Sequence, residues 1–483
     1  MFLQQIKTPL RVCGRIKMLI WIRHTVLGAF FCLALTASAG GKIQGQTPKL
    51  PVVDRSALRQ ALDAYDRGDL KTAEPLLVAL TVRYPTNYEA NEALGSLYAE
   101  TERTSAAIPF LKKACRIAPS EVIAHANLGA AYLKANRLAE AIAELRMAVK
   151  TDGKNPSTQS NLGQALILNK QPNDAAKAFA VAVEAMPEDA ELRYDLALAL
   201  YESGAVKDAG EALRGIPTGA ATDQAEALNG EIAEKLGDYK AALVHYQAAA
   251  RLNPSDTNIY ALTMELLRHW TWDEAFKIAS YGESRYPESR HFRVAEGIAR
   301  YGGEKYADSA AIFSSLLTKE PENALFADLL GRSCSAIAED AAVECSGLSE
   351  FAKTHPNNAP AAMYAAASLL HQPAAMQDKE KVKQLLTLAI KANPKLAEAH
   401  FQLAVLDQAQ LQWTESVAEL KTAVELRPAY SEAHYRLSRA YAHLGMRDEA
   451  QQEIDLQKKY SQQAKDTVNA HLQEVVTFLL TTN

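Results

Sequence analysis

Apolar residues recur along this chain with the spacing of helices, and they recur in pairs. Leu128, Ala131 and Tyr132 form one stripe and Ala141, Leu145 and Ala148 a second, each spaced to fall on one face of a helix. Asn136 interrupts the two stripes, and Gly68, Gly204, Gly237 and Gly445 stand at like places. Such residues tolerate the left-handed backbone conformation that ends a helix. The pattern predicts two amphipathic helices joined by a tight turn.

The pair is repeated. Leu94-Gly95, Leu128-Gly129, Leu162-Gly163 and Leu196-Ala197 recur every 34 residues, as do Ala107, Ala141, Ala175 and Ala209. Prolines at 85, 119, 187, 254, 287, 321, 356, 394 and 428 keep near-multiples of the same period. A proline closes the second helix because it lacks a donor and clashes with the preceding turn. Gly129 and Ala141 are expected where the paired helices cross, since only small side chains let two backbones approach.

On these residues the chain resembles the tetratricopeptide repeat, a 34-residue helix-turn-helix unit. One unit carries His125, Leu128-Gly129, Tyr132, Ala141, Leu145 and Ala148, with Gly153 where Pro is usual; another carries His434, Leu437-Ser438, Tyr441, Gly445, Ala450 and Ile454. The resemblance implies an all-α, right-handed superhelical solenoid with first helices lining a concave groove. It runs from about Ser56 to Ala464, in a regular block over 56–222, divergent repeats over 223–358 and a second regular block over 359–464. The fifth unit is cut short near 214–220, and HQPAAMQDKE at 371–380 is an insertion. Residues 40–55 read as a flexible linker and 465–483 as a capping helix and tail, which a repeat array needs to cover its last apolar face.

Charge divides the chain unevenly. Residues 1–40 hold Lys7, Arg11, Arg15, Lys17 and Arg23 and no acid, leaving 47 basic against 57 acidic residues in the remainder. A mildly acidic body argues against nucleic acid as the partner. The basic start, the apolar run Thr25 to Leu35 and the small residues Ala37-Ser38-Ala39 make 1–39 an expected signal peptide, with Met18 an alternative start. That run is short of the roughly 20 apolar residues a bilayer span needs, so no stable membrane span is expected after cleavage. The expected location is the periplasm or the exterior.

Little in the sequence points to catalysis. No metal, nucleotide or nucleophile motif is present, so no catalytic residue, metal or cofactor is expected. His125, His400 and His434 share one repeat position, which makes them structural by recurrence. Trp270 and Trp272 flank a turn and form a secondary interface candidate, unless they only fill space left by lost small residues. Cys334 and Cys345 are placed to face each other across a hairpin and are a possible disulfide; Cys115, at a core alanine place, reads as a small hydrophobe.

What remains is a binding surface. The Lys and Asn set with which some relatives hold a terminal carboxylate is absent, since Glu92, Ser96, Ala126, Asn127 and Ala130 stand at its places. The repeats of O-linked N-acetylglucosamine transferases offer a closer resemblance, in which an Asn before Leu-Gly grips peptide backbone. Asn127 and Asn161 match it, followed by Asp195, with Tyr194, Tyr201 and Glu202 flanking. The expectation is a non-enzymatic scaffold binding a protein or peptide partner in the groove. The alternatives are a regulatory or assembly subunit using convex-face contacts and, remotely, the substrate-recruiting part of a transferase, for which the repeats leave no catalytic domain.

Overall fold

The computed structural model describes residues 51–217, 219–337, 345–370 and 378–463. These residues form helices and turns, with no strand among them. They fall into two compact units divided between Asp238 and Tyr239. In the first unit α1 (Val52–Asp66), α3 (Tyr88–Glu100), α5 (Val122–Lys134), α7 (Pro156–Leu168), α9 (Ala190–Ser203) and α11 (Asp223–Leu236) are first helices. Their second helices are α2 (Leu70–Arg83), α4 (Thr104–Ile117), α6 (Leu138–Thr151), α8 (Pro172–Ala185) and α10 (Val206–Arg214).

The second unit continues with α12 (Tyr239–Leu252), α13 (Asp256–Arg268), α14 (Trp272–Arg285), α15 (Arg290–Gly302), α16 (Tyr306–Lys319) and α17 (Ala324–Ala336). It is completed by α18 (Ser346–Thr354), α19 (Ala359–Leu370), α20 (Lys379–Ala392), α21 (Ala397–Ala409), α22 (Trp413–Leu426), α23 (Ser431–His443) and helical residues 447–463.

Three local devices build each hairpin. Polar caps start several first helices: Asn87, Asn155, Asp189, Thr222, Ser255 and Asn323 each accept a backbone N–H of the first turn. A left-handed residue then turns the chain between helices, with φ of 57° at Asn136, 74° at Gly68, 91° at Gly204 and 80° at Gly237 and Gly445. Finally, glycine lets the helices close: a Cβ at Gly129 would lie 2.5 Å from Leu145 Cγ, and one at Gly95 would lie 2.6 Å from Leu111 Cγ. The close neighbour of Gly129 is thus Leu145, one turn beyond the expected Ala141. Leu145 and Ala141 are both fully buried.

A fourth device joins six of the hairpins to the one before. The residue six places after the closing turn reaches back to that turn's carbonyl: Asn91 to Pro85 at 3.2 Å, Gln159 to Gly153 at 2.6 Å and Arg193 to Pro187 at 2.6 Å. His125, His400 and His434 occupy the same place, with Nε2 3.1, 3.0 and 2.9 Å from the carbonyls of Pro119, Pro394 and Pro428. Each Nδ1 faces a glutamate of the second helix, Glu144, Glu419 or Glu453, at 2.6, 2.6 and 2.5 Å. Helix ends leave carbonyls without partners, and in these six repeats one side-chain donor satisfies one of them.

Several expected boundaries differ. The linker expected over 40–55 is already helical from Val52, where Pro51 precedes the helix and accepts from Arg55 N at 3.0 Å. Residues 40–50 lie outside the described residues, as do the expected signal 1–39, most of the insertion 371–380 and the capping helix. The compact units part at 238, since α11 remains packed with the first unit. The short fifth unit is visible as α10, nine residues long where the other second helices of the first unit have 14.

Candidate functional site

First helices of the first unit lie side by side, and side chains on that face bond from one repeat to the next. Tyr65 of α1 donates to Glu100 of α3 at 2.6 Å. Asn127 of α5 donates to both Glu92 Oε1 and Ser96 Oγ of α3, each at 2.9 Å, and Ser96 donates to Glu92 at 2.8 Å. Burial pushes the Glu92 carboxyl above its ordinary range, against the pull of those two donors. The Asn127 amide nitrogen therefore has structural partners 35 and 31 residues away.

Asn161 stands at the same register on α7 and differs. It is half-buried, and nothing among the described residues hydrogen-bonds its side chain. Beside it, Gln164 offers its amide to Asp195 of α9. Burial first, then the charge of Glu191, push the Asp195 carboxyl up to about 7. Tyr194, also half-buried, has its hydroxyl raised by burial and by Asp195. Glu202 is exposed on the same helix.

Tyr201 is a correction. It is buried in the core cluster of α9–α11, with Lys235 Nζ 3.7 Å from its ring centre and its hydroxyl turned to Glu231. A bulky ring next to the alanine-rich helix contact gains more by filling core than by facing solvent. Of the expected set, Asn161, Tyr194 and Asp195 are half-buried and Glu202 is exposed, while the Asn127 nitrogen is bonded within the fold and Tyr201 lies in the core.

The other candidates lie in the second unit. Trp270 takes the left-handed turn position, φ 60°, and Trp272 lies over Gly302, where a Cβ would come within 2.4 Å of its indole. Trp272 accordingly packs against the neighbouring hairpin. Cys334 and Cys345 are disulfide-bonded with Cα atoms 5.9 Å apart, linking the end of α17 to the start of α18. The sequence reading missed Glu265, which is buried between Arg268 Nη1 and His269 Nε2, the latter 3.1 Å away. The spacing Glu265, Arg268, His269 at i, i+3, i+4 was the available signal.

Family comparison decides what these hairpins are. Residues 58–122 and 401–456 match one tetratricopeptide-repeat model, 98–164 and 166–230 a second, and 230–256 a third. The chain belongs to the tetratricopeptide-repeat family. Tetratricopeptide-repeat proteins mediate protein–protein interaction, and families built on the repeat are generally non-catalytic. Similar solved structures include a Naa15/Naa10 complex bound to HypK-THB, at 15% identity and TM-score 0.37 over 84% of this chain and 68% of that one. PilF of Pseudomonas aeruginosa is 18% identical with TM-score 0.36, over 42% of this chain and 92% of its own. YrrB, a tetratricopeptide-repeat protein described as having an unusual peptide-binding site, is 19% identical with TM-score 0.36, over 38% of this chain and 96% of its own. No curated protein matches the chain significantly. Among the described residues no helix is long and apolar enough to cross a membrane.

Proposed function

We propose that this tetratricopeptide-repeat protein is a non-enzymatic, exported scaffold that holds an extended segment of a partner protein along α7 and α9, rather than nucleic acid. The observation that carries this reading is Asn161. An amide has donors and an acceptor that suit a peptide backbone without reading its side chains, and this one is half-buried with no hydrogen-bond partner among the described residues. Its counterpart Asn127 has the same register and is satisfied within the fold. On α9, Tyr194 supplies an amphipathic ring next to Asp195, and Glu202 an exposed charge.

Export is supported by the basic, apolar and small-residue order of 1–39. The reading is tested by crosslinking capture from the native cell envelope with wild type, Asn161→Ala/Asp195→Asn and Asn127→Ala. Capture lost in the double variant and retained in Asn127→Ala supports it. Capture unchanged in the double variant transfers the binding function to another surface, as an assembly subunit using second-helix contacts would require.

A further inference from the structure

We infer that Cys115, His125 and Glu144 form a site for one divalent transition-metal ion of the zinc class, joining three consecutive helices of the first unit. One ligand atom from each of these residues lies within 4.8 Å of the other two. Cys115 comes from α4, His125 from α5 and Glu144 from α6. Thiolate, imidazole and carboxylate are the donors that zinc accepts at about 2.0 to 2.3 Å in a tetrahedral shell. Donors on such a shell stand about 3.3 to 3.7 Å apart. Closing the present set onto an ion therefore takes side-chain adjustments of about 1 Å, with the fourth position left to water.

The chain contains its own controls. His400 with Glu419 and His434 with Glu453 repeat the His125 and Glu144 arrangement. At the place ten residues before each histidine, they have Ile390 and Val424 where the first copy has Cys115. The histidine–glutamate pair is thus a structural bracket in all three, and the sulfur makes a three-donor set in only one. The bracket also presents the right ring atom. Nε2 faces the Pro119 carbonyl, which can only accept, so that nitrogen carries a proton, and Nδ1 faces Glu144 across a proton that a bound ion would displace. A metal-bound imidazole is oriented by this kind of carbonyl contact.

A bound dication favours the thiolate form of a coordinating sulfur. Loading releases two protons to solvent, one from Cys115 as the sulfur–metal bond forms and one from between His125 Nδ1 and Glu144, and no redox change is involved. With one thiolate, one carboxylate and one neutral imidazole, the dication's charge is cancelled.

The test uses the full chain, stripped of metal and titrated with cobalt(II) and zinc. The expected result is one tight equivalent, a thiolate-to-cobalt absorption band and a raised Tm on zinc addition. Cys115→Val, which copies the third bracket, and Glu144→Gln should each weaken binding at least tenfold, and Glu419→Gln should not. In the unaltered chain, zinc should protect the Cys115 peptide from alkylation. No cobalt band, affinity unchanged in Cys115→Val, or equal alkylation of the Cys115 peptide with and without zinc overturns the site. The alkylation measurement stands even where a variant fails to fold.

Discussion

The hairpins of α3 to α8 and those of α13 to α16 share one backbone plan and differ in how they fill it. In the first, glycine meets a large side chain sixteen residues on: Gly95 meets Leu111, Gly129 meets Leu145 and Gly163 meets Phe179. In α15 and α16 the same relation joins Gly297 to Phe313, with a would-be Cβ 2.5 Å from the ring. In α13 and α14 the volumes are exchanged. Thr263 holds the glycine place and Ala279 the place of the large residue, and both are fully buried. The family pattern fades over 257–400 because it records one solution to a fixed interhelix volume, whereas the volume itself is conserved across the pair.

The two regions also bury charge differently, and this supplies the largest test. Glu265, with 1% of its side chain accessible, has Arg268 and His269 against it. Glu265→Ala strands those partners and should cost about 3–5 kcal/mol in urea melts. Among the described residues no cation pairs with Asp195, and its substitution should act in the opposite sense. Its pKa is raised from 3.8 to about 7, so the folded chain keeps a proton that the unfolded chain loses. Stability therefore falls as pH climbs from about 4 to 7, and the penalty is complete above that range. Asp195→Asn should add about 2–3 kcal/mol at pH 8 and almost nothing below pH 4. A variant with lost capture and gained stability would exclude misfolding as the cause of the loss.

The exchanged volumes give the next test. Ala279→Leu overpacks a site already filled by Thr263 and should cost about 1–3 kcal/mol. Adding Thr263→Gly restores the arrangement of the first region and should recover at least half of that cost. Purely additive losses in the double variant would break the comparison. The smallest effect is at the turns. Leu411 adopts φ 63° with no glycine or asparagine to ease it, so Leu411→Gly should gain about 1 kcal/mol in thermal melts. Asn136→Gly, where asparagine already tolerates that geometry, should change little.

These turns show what periodicity reveals. Gly68, Asn136, Gly204, Gly237 and Gly445 were legible as turns because their residue types favour the left-handed region. Glu102, Lys170, Trp270, Glu304 and Leu411 adopt the same conformation unannounced, since the hairpin imposes it from outside. The binding face was legible only in outline. The repeat register put Asn127, Asn161 and Asp195 in one row, but Asn127 is engaged by Glu92, where other repeats carry Ala126 and Ser160. A bond across 35 residues to a position that varies leaves no periodic trace. Tyr201 was misplaced for a related reason, because its core neighbours come from α10 and α11, where the period has slipped.

The six-residue reach to the closing turn has a consequence for how such a chain can change over generations. Its acceptor is always a backbone carbonyl, while its donor is Asn91, His125, Gln159, Arg193, His400 or His434. A joint defined by the main chain on one side carries no lock-and-key with its neighbour's side chains. Whole units can be duplicated, lost or shuffled and still seat at the next turn. Their outward residues are then free to diverge toward new partners without renegotiating the seam.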